Sequence, residues 1–464
     1  MHPMRIAIVG GGPGGYEAAL VAAENGAEVT LVADEGLGGN SVLWDCVPSK
    51  ALIVSAEAMG WTRSAHRLGI QHTAGSGERV RAEADMDAVM RRVETLAGDQ
   101  SADVTKKVEA AGVRLVHGRG RLVDHQTVAV DDDGETTRLG ADIVLVATGS
   151  RPRILPFFTP DGRRVFTARE LFSLRERPER LVVVGSGATG LEYAQAFARF
   201  GGEVHLVSSR EQVLPGQDPD AAAVVEEVCE RWGMTIHRRR RATDLRTGDD
   251  GVRVRVGDDE WVEASHALFC VGQVPVTDGL GLEDVGVRLA EDGSVPVDGV
   301  SRTNVPTIYA AGDVTGGIML ASVAAMRGRN AMWHALGRAV APLRTDAIAA
   351  CIFTHPEVAV VGRGAEALAE AQVPAQTVTL PFAGNPRAKM EEHTDGFVRI
   401  HAMEGSGTVL GATVVAAQAS DLISQLSVAV HNRLSVSQLA QAFSIYPSMG
   451  GSVQETARQL MSRS

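Results

Sequence analysis

The residues with the clearest chemical purpose in this chain are two sets of glycines. Gly10-Gly11-Gly12-Pro13-Gly14-Gly15 follows the apolar run 7–9 and opens an Ala-rich stretch, 16–24. Gly185-Ser186-Gly187-Ala188-Thr189-Gly190 follows the apolar run 182–184 and opens another. A glycine turn between a strand and a helix lets backbone approach a pyrophosphate while the helix N-terminus faces its charge. Gly10 allows the tight turn, Gly12 the close approach, and Gly15 the packing of helix on strand; Gly185, Gly187 and Gly190 repeat these roles. In both places, 5–32 and 181–207, the order strand, turn, helix, strand predicts a right-handed parallel βαβ unit. Two such units predict two dinucleotide-binding domains.

The residues around each turn narrow the ligand. The second strand of the first unit ends at Ala33, with no acid; either Asp34 or Glu35 could serve the ribose from a shifted register, or the ribose contact is weaker than usual, and Asp34 is the favoured ligand. The corresponding strand of the second unit, 204–207, ends in Ser208-Ser209-Arg210. A carboxylate there would bind the 2′-OH of NADH and repel a 2′-phosphate, and an arginine does the reverse. Ser208 and Arg210 therefore suit NADPH and leave NADH possible; Arg210 as an ordinary exposed loop residue is the other reading. Ala147-Thr148-Gly149-Ser150 after strand 143–146, and Ala310-Ala311-Gly312-Asp313 closing strand 308–311, fit the first dinucleotide. Asp313 at a strand end can accept hydrogen bonds from ribityl hydroxyls. Thr148, Gly149, Gly312, Asp313 and Ala321, at the start of the next helix, are expected at FAD.

With these motifs go Cys46-Val47-Pro48-Ser49-Lys50, Val271-Gly272-Gln273-Val274-Pro275 and Thr354-His355-Pro356-Glu357. The whole run resembles the pyridine-nucleotide-dependent flavoprotein disulfide reductases, such as lipoamide dehydrogenase and glutathione reductase, over essentially the full chain. The resemblance implies FAD, NAD(P)H and an α/β architecture of two Rossmann-like dinucleotide-binding domains followed by a C-terminal α+β dimerisation domain. The implied boundaries are 1–150 with 275–342 for FAD, 151–274 for NAD(P), and 343–464 for the contact between two copies of a homodimer. It also implies that Gly39, Asn40, Ser41 and Lys50 lie at the flavin and that Gly272 lies at the nicotinamide nucleotide. Glu192 would pair with Lys50 beside the flavin; each as a solvated charge near a helix start is the alternative.

Against that family the chain lacks two things. The family's redox motif has two cysteines separated by four residues; here the two positions are Ser41 and Cys46. One thiol cannot form the two-electron disulfide, so Cys46 either sits against the flavin or fills space. Near the C-terminus the family carries a His before a Pro and a Glu five residues after the His, acting as acid and base across the dimer. Here those positions are Tyr446, before Pro447, and Gly451. A phenol gives up its proton only at strongly basic pH and does not replace an imidazole. The expected activity is direct transfer from NAD(P)H through FAD to a small acceptor, a quinone above all. Residues 42–50 and 445–448 resemble an actinobacterial branch of the family that acts as NAD(P)H:quinone reductases. By position, Tyr446 would face the partner's flavin pocket and stack on or hydrogen-bond the acceptor. Lys50, Glu192, Cys46 and Tyr446 are the candidate catalytic residues. The alternatives are a soluble pyridine nucleotide transhydrogenase, a lipoamide dehydrogenase-like protein without disulfide reductase activity, and a nucleotide-bound regulatory protein that has lost catalysis.

The elements that must position these residues are legible in outline. Residues 55–111 are Ala-rich and helical in period, most clearly 85–108, and short strands follow at 113–116, 127–130 and 143–146. A proline-rich segment, 151–180, looks like a domain crossover. Strands at 252–256, 267–270 and 308–311 precede a long helix, 321–336, and from about 345 strands and helices alternate in a separate α+β region. The chain of 464 residues is long enough for several cores. A net charge of -12 argues against a nucleic-acid partner, and the arginine run 238–241 reads as a solvated face. No stretch is apolar enough for a membrane span and no targeting segment is recognised, so the expected location is the cytoplasm. Four scattered cysteines suit neither a zinc site nor a disulfide framework, and no metal is expected.

Overall fold

The computed structural model describes residues 2–71, 73 and 82–462. The chain divides into two compact units: residues 1–55, 84–176 and 271–343 form the first, and 56–83, 177–270 and 344–464 form the second.

The first unit is built on a parallel sheet with strand order Ile308–Ala310, Ile143–Val146, Arg5–Val9, Glu28–Ala33, Arg114–His117. Because Arg5–Val9 has parallel neighbours on both sides, the chain leaves all these strands at one edge. Alternation along the central strand sorts its side chains into two layers. Ile6 and Ile8 join a cluster with Ala18, Ala19, Val104, Val108, Ala331 and Met332, contributed by helices Pro13–Glu24, Met86–Ala110 and Ala321–Ala335. Ala7 and Val9 join another with Leu122, Val128 and Val130. Those come from an antiparallel sheet of Arg119–Asp124, Thr127–Asp132 and Glu135–Gly140. The parallel sheet is thus covered on both faces, which its two-sided apolar strands require.

Only the middle strand of that covering sheet is marked by an apolar run. Its neighbours carry Arg119, Arg121, Glu135 and Arg138 on their exposed faces, so their strand character comes from pairing with Thr127–Asp132 rather than from their own pattern.

In the second unit, four parallel strands run in the order Thr235–His237, Glu203–Val207, Arg180–Val184, His266–Phe269. Helix Ala188–Phe200 follows the second glycine turn and is buried along most of its length. An antiparallel meander, Ala242–Gly248, Gly251–Val256 and Glu260–Ala264, leads back to the sheet. The C-terminal part holds a five-stranded antiparallel sheet in the order Ala349–Ile352, Glu357–Gly362, Val409–Ala416, Phe397–Met403, Ala375–Pro381. Helices Ala419–His431 and Gly451–Met461 close its core around Val398, Ile400, Val414, Leu426 and Val453. Two Rossmann-like parts followed by an α+β part is the plan expected from sequence. Among the described residues no helix is long and apolar enough to cross a membrane.

Candidate functional site

The strand ends of the first unit surround a cavity of about 720 Å³, within the range of roughly 300–1,000 Å³ typical of small-molecule sites. Its base is the first glycine turn. Gly10 has φ +112°, and a Cβ there would lie 2.2 Å from the Ala147 carbonyl oxygen. At Gly15 a Cβ would lie 1.9 Å from the Gly10 carbonyl oxygen. Only glycine permits this contact, and it sets the start of helix Pro13–Glu24 against the cavity. That helix has no side-chain cap at Gly12 and no acid in its first turn, which leaves its leading N–H groups suited to an anion. A Cβ on Gly12 would come no closer to its surroundings than 3.9 Å, at the Gly39 Cα; the remaining space is cavity. Gly10, Gly12, Pro13 and Gly14 all line it.

The neighbouring strand ends supply the walls: Thr148, Gly149, Gly312, Asp313 and Ala321 line the same cavity. Asp313 accepts a hydrogen bond from the Ser150 hydroxyl at 2.7 Å, and the Ser150 carbonyl accepts one from the Asn40 side-chain amide at 2.6 Å. Burial pushes the Asp313 carboxyl above its usual range, the Ser150 hydroxyl works against that, and Asp45 adds to it. The Thr148 hydroxyl donates to the Val276 carbonyl at 2.6 Å.

Both acids after the second strand line the cavity, but they are not equivalent. Glu35 accepts from the Trp44 indole at 2.8 Å and pairs with Arg169, whose guanidinium lies 4.8 Å above the Trp44 ring. Asp34 has a single ion pair, with exposed Arg119 at 3.2 Å, and is the less committed of the two. Sequence reasoning missed what surrounds them. Arg119, Arg121, Arg151 and Arg169 all line the cavity, each paired with a carboxylate. For Arg119 and Arg121 the one local signal was the alternation Gly118-Arg119-Gly120-Arg121. A helix N-terminus, four guanidinium groups, a half-buried acid and a space kept open by glycine together fit an anionic dinucleotide.

The short helix Gly39–Leu43 and the first turn of helix Cys46–Ser64 form a further wall, bringing in Gly39, Asn40, Ser41, Asp45 and Cys46. The Ser41 hydroxyl donates to the Gly38 carbonyl at 2.9 Å. Cys46 is half-buried, and none of the four cysteines is in a disulfide. Lys50 lies one turn further on, outside the cavity wall; its charge lowers the Asp45 carboxyl, which burial otherwise raises.

In the second unit the geometry of the first turn recurs. Gly185 has φ +113°, a Cβ there would lie 2.2 Å from the Cys270 carbonyl oxygen, and one on Gly190 would lie 2.0 Å from that of Gly185. Helix Ala188–Phe200 likewise starts at Gly187 without a side-chain cap. Ser208 is fully buried; its hydroxyl bonds to that of Ser186 at 2.8 Å and to both backbone groups of Arg210. These bonds tie the end of the strand to the loop that follows, and Arg210 is exposed. Glu192 is buried and accepts from the Phe353 N–H at 2.8 Å. Gln195, one turn on, bonds to both backbone groups of His355. Burial, with the charges of Arg199 and His393, holds the His355 imidazole well below its usual range and therefore neutral; its ring stacks 5.6 Å from Trp232. Gly272 falls in the first unit, next to strand Gln273–Pro275, which pairs with Ser150–Pro152. Tyr446 stands 84% exposed between Ile445 at 82% and the start of the C-terminal helix.

Residues 4–328 match the family model described as pyridine nucleotide-disulphide oxidoreductase, and residues 348–457 match the dimerisation domain of the same description. The chain is 46% identical over 98% of its length, and 94% of the other's, to a protein of Mycobacterium tuberculosis named NAD(P)H dehydrogenase (quinone). It is 34% identical, over 98% and 95% respectively, to a dihydrolipoyl dehydrogenase of Haloferax volcanii. The crystal structure of LpdA from Mycobacterium tuberculosis superposes with a TM-score of 0.93 at 45% identity, covering 99% of this chain and all of that one. The flavoprotein disulfide reductase RclA of Escherichia coli, at 22% identity over 99% of this chain and all of that one, shares the fold with a TM-score of 0.87.

Asp313→Ala removes the carboxylate and its link to Ser150. Loss of a charged hydrogen-bonding group of this kind is expected to weaken flavin binding by on the order of ten- to a hundredfold. Apoprotein titration with FAD measures this, and wild-type affinity in the variant would contradict the role given to Asp313.

Proposed function

We propose that this chain, which belongs to the pyridine nucleotide-disulphide oxidoreductase family, oxidises NAD(P)H and reduces a quinone through bound FAD, with no disulfide between them. The observation that carries this reading is the cavity wall at residues 39–46, which offers the single thiol of Cys46 and, at the other redox position, a Ser41 hydroxyl bonded to Gly38. The 46% identity to the protein named NAD(P)H dehydrogenase (quinone) supports the choice of acceptor.

In this reading residues 1–150 and 275–342 hold FAD, residues 151–274 hold NAD(P)H, and residues 343–464 join two copies in a homodimer. FAD supplies, when bound, two-electron uptake from a reduced nicotinamide and release to an acceptor. The chain's own residues do the rest. The N–H groups after Gly12 and the cavity arginines hold the pyrophosphate, Asp34 holds the ribose and Asp313 the ribityl chain. Asn40 and Ser41 keep the wall beside Cys46 in place. Lys50 and Glu192 set the charge around the reacting ring. Gly185, Gly187 and Gly190 clear the second pyrophosphate site, and Arg210 admits NADPH as well as NADH. Tyr446 meets the acceptor by stacking or by its hydroxyl. An enzyme drawing on diffusible NAD(P)H with these parts works in the cytoplasm.

The purified yellow protein is expected to bleach anaerobically with NADPH, and menadione-dependent NADPH oxidation is expected to exceed thio-NADP⁺ reduction by NADPH. Faster transfer to thio-NADP⁺ would favour a transhydrogenase and contradict the quinone reading. A Ser41→Cys variant restores one sulfur but no acid–base pair at Tyr446 and Gly451, so its turnover of lipoamide or glutathione disulfide is expected to stay at background. Family-like disulfide turnover in that variant would contradict the stated need for both.

A further inference from the structure

The parallel sheet of the second unit ends in a strand whose one imidazole is bonded to another. Strand Thr235–His237 is three residues long and has a neighbour on one side, Glu203–Val207. Alternation along the two strands puts His205 and His237 on the same face. Their rings stack there with centroids 5.4 Å apart, and their side chains are 17% and 13% exposed.

Hydrogen bonds fix where the protons lie. Glu203 accepts from His205 Nε2 at 3.0 Å, so that nitrogen carries the His205 proton. His205 Nδ1 is then an acceptor, and His237 Nε2 donates to it at 3.1 Å. A neutral imidazole has one N–H, so His237 Nδ1 is left bare, 3.5 Å from the Glu260 carboxylate. Arg180, on the next strand of the sheet, pairs with the other Glu203 oxygen at 3.0 Å. The His205 and Arg180 bonds hold the Glu203 carboxyl below its usual range. Arg240, in the loop after Thr235–His237, runs past Gly257 in the antiparallel meander and sets its charge against His237.

Acid disturbs this array in two steps. The first added proton goes to His237 Nδ1, the bare nitrogen, and puts a cation in a largely enclosed place. Burial holds the His237 imidazole below its usual range; Glu260 works against this, and His205 and Arg240 add to it. A second proton must take the His205 lone pair that joins the rings, and two N–H groups would then face each other across 3.1 Å. An opened edge takes up protons more readily than the closed one. The closed edge therefore loses stability as pH falls through the ordinary imidazole range.

The edge strand supports the second glycine turn through two hydrogen bonds. The His237 carbonyl accepts from the Ser208 N–H at 3.0 Å, and the Ser208 hydroxyl bonds to that of Ser186 at 2.8 Å. Ser186 lies inside the turn, between Gly185 and Gly187.

We propose that His205 and His237 form an acid-sensitive clasp, which holds the second glycine turn ready for a dinucleotide at neutral pH and slackens it in mild acid. Dinucleotide binding then favours the closed, neutral pair and sends a proton to solvent. The inference rests on the reading of residues 185–190 as a nicotinamide-dinucleotide turn.

The test uses the FAD-loaded protein and calorimetric binding of NAD⁺, which lacks the 2′-phosphate and its own titration near pH ~6. Affinity is expected to fall roughly five- to tenfold between pH about 7.5 and about 5.5. Near pH ~6, binding is expected to release part of a proton, read from the dependence of the heat on the ionisation enthalpy of the buffer. His205→Gln and His237→Gln each keep an amide for the bond between strands and remove one titrating group. Each is expected to flatten the pH dependence to about twofold or less, and the double variant to abolish proton release. Wild-type affinity that is flat across this range, or an unchanged fall and proton release in the double variant, overturns the clasp, as does NAD⁺ that binds at no pH. Brisk reduction of the flavin by NADH or NADPH at neutral pH leaves the oxidoreductase reading intact in each case. A flavin that neither nucleotide reduces overturns that reading and the clasp together.

Discussion

Both nucleotide cradles depend on one steric constraint, that a helix must begin in contact with the strand it follows. A Cβ on Gly15 or on Gly190 would fall about 2 Å from the carbonyl oxygen of Gly10 or Gly185, far inside any permitted contact. With hydrogen in that place, the helix N-terminus can face a pyrophosphate with its own N–H groups. Backbone recognises phosphate but not the rest of a cofactor. At the same edge the parallel strands of the first unit bring Thr148 and Asp313 to the cavity, while Arg119 and Arg121 reach it from an antiparallel strand.

This division explains what the sequence disclosed. The glycine turns and central strands were legible because each is local: an apolar run, a turn, a helix. Asp313 was legible too, since it closes a strand. The arginines around the first cavity were not, because they meet only after separate segments have folded together: Arg119 and Arg121 from an antiparallel strand, Arg151 from strand Ser150–Pro152 and Arg169 from a turn. Ser208 is buried, and its hydroxyl bonds to Ser186 and to Arg210. Glu192 is buried in the second unit, and its carboxylate accepts from the Phe353 N–H at 2.8 Å. A local pattern gives a residue's place along the chain, whereas a partner can lie far away in sequence, as Phe353 does from Glu192.

Of the departures from the family's chemistry, Ser41 lines the first cavity and Gly451 stands at the start of the C-terminal helix. Ser41 keeps the hydrogen bond that closes its turn, and Gly451 begins a helix that packs well without a carboxylate. The chain keeps both glycine turns while carrying Ser41, Tyr446 and Gly451 at the positions of the other cysteine and the acid–base pair. On the proposed reading, electrons take a short route from reductant through flavin to acceptor.

The most direct test of that route is the number of electrons the protein stores. An anaerobic titration of the FAD-loaded protein with dithionite counts them against the bleaching of the flavin. Two electron equivalents per flavin is the predicted result, since flavin is then the only two-electron centre. Four equivalents per flavin would reveal a reducible disulfide in the chain and contradict the account.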